Sequence, residues 1–145
     1  MNREFTDYLH NIGATGPIID KAENAYKNCE NICPEEIKGI FVSEYTEENG
    51  NRMYENLWFF SERYCMESKN FTQRDNIDIT PYNKIIKRLF IEKKDYEFTE
   101  ANAQSRAILH FVLHMGIDGT IKASGENCDH LLNIVKSYFI PNLLI

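Results

Sequence analysis

His110 and His114 stand four residues apart. On a helix that spacing sets two imidazoles on one face, where they can share a metal ion. In an extended strand the same pair lies roughly 13 Å apart and cannot hold one ion. Residues 107 to 115 alternate as a strand does, so both histidines are expected to be structural or to sit at a solvent edge. Cys29, Cys33, Cys128 and His130 make a nominal four-ligand set. They lack the paired Cys-x-x-Cys spacing of zinc and redox sites, so ordinary thiols are expected, with neither metal nor cofactor. The chain has no nucleophile-elbow motif and no glycine-rich loop followed by Lys and Ser or Thr. Glu62, Glu67, Asp78 and Glu92 fall in or near strands and read as solvated surface. No catalytic residue is assigned, and the chain reads as a non-enzyme.

Two groups of residues suit binding. Tyr54, Trp58 and Phe60 share one side of a strand, and Leu57 and Phe59 share the other. One side should be core. A half-covered other side would leave an aromatic anchor for a partner. Lys84, Lys87, Arg88, Lys93 and Lys94 form the densest positive run. They suit protection of an edge strand by charge or, with Lys84, Lys87 and Arg88 as the core of the site, an anion-binding surface.

The elements that must position these residues follow from periodicity. Phe5, Tyr8, Leu9 and Ile12 give helical spacing, as do Ile18, Ile19, Ala22, Ala25 and Tyr26, predicting helices over 3–12 and 17–31. Gly13 and Gly16 separate them, Pro17 suits a first helical turn, and Pro34 ends the second. Period-two alternation then predicts a strand over 37–45, and Asn49-Gly50 a hairpin turn. Further strands are expected over 52–60, 64–69, a short piece at 77–79, 85–93, 107–115 and 120–123. Leu131, Leu132, Ile134, Val135, Tyr138 and Phe139 trace a broad apolar helical stripe that ends at Pro141 and needs an open sheet face as cover.

A run of strands closed by one amphipathic helix, over roughly 36–140, resembles the bacterial pleckstrin-homology-like domains. Leu57 to Tyr64 is similar to the family's apolar strand, Ser or Thr turn with Arg, and return strand. Ile79 to Ile85 is similar to its proline-tyrosine lead-in. The resemblance implies a mainly β, α+β fold: a barrel of about seven antiparallel strands capped by the C-terminal helix. Residues 1–33 would be a helical extension and residues 34–145 the domain. The first hairpin turn, Glu47 to Asn51, is acidic where membrane-binding relatives carry a basic head-group cluster.

Composition sets the class. The chain has 145 residues, 43% hydrophobic and 26% charged, with 8 Tyr and 9 Phe. That suits one globular, sheet-rich domain with a core of its own. The net charge is -6, and the first 50 residues hold 10 acidic side chains against 4 basic ones. This argues against nucleic acid and against loose attraction to anionic membrane. No signal peptide or membrane span is expected, and the expected compartment is the cytoplasm. The function expected is a binding or adaptor domain acting by protein contact or self-association. A phosphate or lipid-head-group module is the alternative and a small enzyme the third reading. The sequence leaves open the partner, the oligomeric state, the placement of the N-terminal helices and the exposure of Tyr54, Trp58 and Phe60.

Overall fold

A computed structural model describes residues 1–46, 49–82, 86–96, 104–113 and 118–143. Side chains are described for all of these except 45–46, 86–87, 93–96, 104–113 and 118. Helix α1 spans Arg3–Asn11 and helix α2 Gly16–Ile32. Asn2 caps α1, its Oδ1 accepting from the Phe5 N–H at 2.9 Å. The turn after α1 uses Gly13 at φ 84°, a left-handed geometry that favours glycine. Among the described residues seven strands follow: β1 Gly39–Thr46, β2 Arg52–Phe60, β3 Tyr64–Ser68, β4 Asp78–Pro81, β5 Ile86–Tyr96, β6 Gln104–Leu113 and β7 Asp118–Ser124. Helix α3, Asn127–Ile134, continues as a π-helical turn, Val135–Phe139, and a 3₁₀ turn, Ile140–Asn142. The regular helix gives way just before Pro141, which has no N–H to offer the carbonyl one turn back.

The expected barrel is corrected. The strands form two open sheets, one ordered β1-β2-β3-β4 and the other β5-β6-β7. Closure needs an unbroken ladder from strand to strand. β4 is four residues long and ends on Pro81, which cannot donate to a following strand. Segment 107–113 is extended within β6, as its alternation predicts, so His110 lies on a strand.

The chain divides into two compact units, residues 1–42 with 54–81, and residues 43–53 with 82–145. In the first, α1 and α2 pack on the sheet. Phe5, Leu9, Ala22, Ala25 and Cys29 meet Ile40, Val42, Leu57, Phe59 and Met66 in one buried cluster. The Phe59 ring lies 6.1 Å from Phe5 in a tilted contact and 5.5 Å from Tyr26 edge to face. The Tyr8 hydroxyl accepts from the Val42 N–H at 3.0 Å, so α1 also occupies part of the β1 backbone. In the second unit, α3 packs on β6 and β7. It buries Cys128, Leu131 and Ile134, and the turn that follows buries Val135 and Phe139. The Phe139 ring lies 6.1 Å from Tyr82. Thus the terminal apolar stripe is covered by sheet, as its width requires.

Candidate functional site

The aromatic residues singled out from sequence are not an exposed patch. Trp58 is 6% exposed and Phe60 0%. The reason is that Leu57 to Phe60 is buried on both faces of β2, so the four-residue apolar run is core throughout rather than half core. Tyr54 departs from strict alternation as well. Its ring packs with the helix-side cluster, and its hydroxyl donates to the Ile12 carbonyl at 2.9 Å. The trio is therefore split between the two sides of the sheet.

Around Trp58 the sheet builds a polar row. Trp58 pairs across the ladder with Glu67, and Glu67 with Asp78. Lys69 Nζ lies 4.0 Å from Glu67 and 3.9 Å from Asp78. Glu67 has a side chain only 12% exposed. Burial pushes its carboxyl up to about 7; Lys69 opposes this and Asp78 adds to it. Among the described residues the Trp58 indole N–H has no acceptor. Cys65, two residues before Glu67 on the same strand face, is buried. Burial pushes its thiol well up, with help from Glu67 and Asp78. A thiol held in that form is a poor nucleophile.

Two other carboxylates are built into the fold. Glu44 is buried beside Arg52, with Oε2 3.1 Å from Nε. The contact is an ion pair without hydrogen-bond alignment. Burial pushes Glu44 up to about 7 against the pull of Arg52. Glu35 clamps the β2–β3 turn. Its Oε1 accepts from Ser61 Oγ at 2.7 Å and from the Arg63 N–H at 2.7 Å, and its Oε2 accepts from Arg63 Nε at 2.9 Å. Burial raises its pKa, but these hydrogen bonds and the Arg63 charge together outweigh it, and the net shift is downward. The Ser-with-Arg turn read from sequence thus has a third member, Glu35, which sequence reasoning missed.

Cys29, Cys33, Cys65 and Cys128 are all thiols. Cys29 is pushed up to about 12 by burial and then by Cys33. Among the described residues no three His, Cys, Asp or Glu side chains converge as metal ligands. No described helix is long and apolar enough to cross a membrane. His114 and Lys84 lie outside the described residues, as do the side chains of His110 and Lys87. Arg88 is exposed.

Exposed apolar surface does occur on β5, an outer strand of its sheet. Phe90 is 50% exposed and Ile91, its neighbour, 36%. Compared with known proteins, the chain matches no family model, no curated protein and no solved structure.

Proposed function

We propose that the protein is a non-enzymatic cytoplasmic binding domain that takes a segment of a protein partner along the outer strand β5. The observation that carries this reading is that Phe90 and Ile91, consecutive on that strand, are both exposed. Strand addition supplies affinity through main-chain hydrogen bonds and selects its ligand through side chains such as these. By contrast the first sheet's β1 already has α1 against it through Tyr8 and Val42. The thiols pushed up at Cys29 and Cys65 also favour binding over covalent chemistry. The order of seven strands and a closing helix supports kinship with the pleckstrin-homology-like domains, without their barrel.

Affinity capture from the native cytosol tests the reading, using wild type and a Phe90→Ser, Ile91→Ser variant. Both positions are exposed, so the variant is expected to keep the wild-type circular dichroism spectrum. The expected result is a partner retained by wild type and lost by the variant. Identical partner sets would remove β5 from the function.

A further inference from the structure

The turn between β1 and β2 carries a pair able to react with itself. Asn49 is the chain's one asparagine followed by glycine. Asn49 and Gly50 are both exposed. Gly50 has φ 87°, and among the described residues beyond its chain neighbours no atom lies within 4 Å of where its Cβ would stand. No side chain therefore crowds the Gly50 nitrogen from that direction. The Asn49 Oδ1 accepts from the Asn51 N–H at 3.0 Å. A donor on that oxygen draws electrons from Cγ and stabilises the negative charge that forms when a nucleophile adds there. Asn2, Asn56 and Asn76 also accept from backbone N–H groups. Arg3, Leu57 and Ile77 follow them, and their side chains shield the next nitrogen.

We propose that Asn49 is a site of spontaneous deamidation in the folded protein. The Gly50 amide nitrogen loses its proton and attacks Asn49 Cγ. A new N–C bond closes a five-membered succinimide, and the Cγ–Nδ2 bond breaks. The side-chain nitrogen leaves as ammonia, taking up the equivalent of the proton that Gly50 gave. Water, the only co-reactant, then opens the ring. Opening at Cγ leaves aspartate at position 49. Opening at the backbone carbonyl leaves isoaspartate, whose main chain runs through Cβ and Cγ. Either product adds a negative charge to a chain already at -6, next in sequence to Glu47 and Glu48. Isoaspartate also lengthens the turn between two strands that neighbour each other in the sheet, and turn length sets hairpin register. The Glu44–Arg52 ion pair closes the same hairpin.

The test ages the full chain in neutral and in mildly alkaline buffer and follows each asparagine by peptide mapping with mass spectrometry. Asn49 should convert about tenfold faster than Asn2, Asn56 or Asn76. Conversion should speed up with pH, because the attacking nitrogen must give up its proton, and isoaspartate should appear beside aspartate. Gly50→Ala should slow conversion about tenfold, with circular dichroism checking that the strained turn still folds. Asn49→Gln, which leaves the Gly50 backbone alone, should abolish the product at this position. The same chain in urea separates the turn from the sequence motif, and folded Asn49 should convert no more slowly than unfolded. Conversion confined to urea would overturn the proposal, since the folded turn would then protect Asn49. Aspartate formed without isoaspartate would overturn it as well, by showing direct hydrolysis with no ring. So would an Asn49 that outlasts the other asparagines.

Discussion

At the scale of the residue, the buried carboxyl of Glu67 and the clamp at Glu35 have opposite effects on stability as pH changes. Glu67 is raised in the folded protein to about 7. Its folded form therefore holds a proton that the unfolded chain has already released. Stability is fully present below the unfolded pKa and is lost as pH rises through about 7. Glu67→Gln removes this titration, so the variant should be about 1 to 3 kcal/mol more stable than wild type at alkaline pH and close to it in mild acid. Urea unfolding on both sides of neutrality measures this. Glu35 is lowered, so its contribution is present above the unfolded carboxylate pKa and is lost as pH falls through the folded one. Glu35→Ala should cost about 1 to 2 kcal/mol near neutrality, with faster amide exchange in the β2–β3 hairpin. Neither role was legible in the sequence. Glu35 stands 26 residues from Ser61, and Glu67 looks like any solvated strand carboxylate until Trp58 and Asp78 are placed beside it.

At the scale of the element, removing the Tyr8 hydroxyl should uncover the β1 backbone at one point. Tyr8→Phe should cost about 1 kcal/mol and speed exchange of the Val42 amide above all others. That contact is the point of attachment most easily separated from packing, because the aromatic ring is retained. Element positions were largely legible: β2 spans Arg52–Phe60 and α2 Gly16–Ile32, each within a residue of the spans that period and turn signals predict. Local patterning fixes such spans because a period of two or 3.6 needs only neighbours. Pairing and closure were not legible. Whether β4 continues the ladder depends on which strand it could meet and on Pro81 at its end, and alternation alone does not report either. The burial of Trp58 and Phe60 was missed for a related reason. An apolar run with both faces apolar looks the same whether one side or both is covered.

At the scale of the whole molecule, residues 1–33 complete the buried core of the first unit. Without them Ile40, Val42, Leu57, Phe59 and Met66 lose the apolar side chains that cover them. Deleting these residues should leave a chain that aggregates or lacks a cooperative unfolding transition, because several fully buried side chains contribute roughly 1.5 to 3 kcal/mol each. Light scattering and thermal unfolding of the truncated chain check this. The proposed binding strand is β5, where Phe90 and Ile91 are exposed. Amide hydrogen exchange of the full chain, alone and with a partner retained in affinity capture, tests that placement most directly. Slowed exchange centred on Arg88 to Glu92 is the expected result. Protection that leaves β5 unchanged and falls on another surface would contradict it.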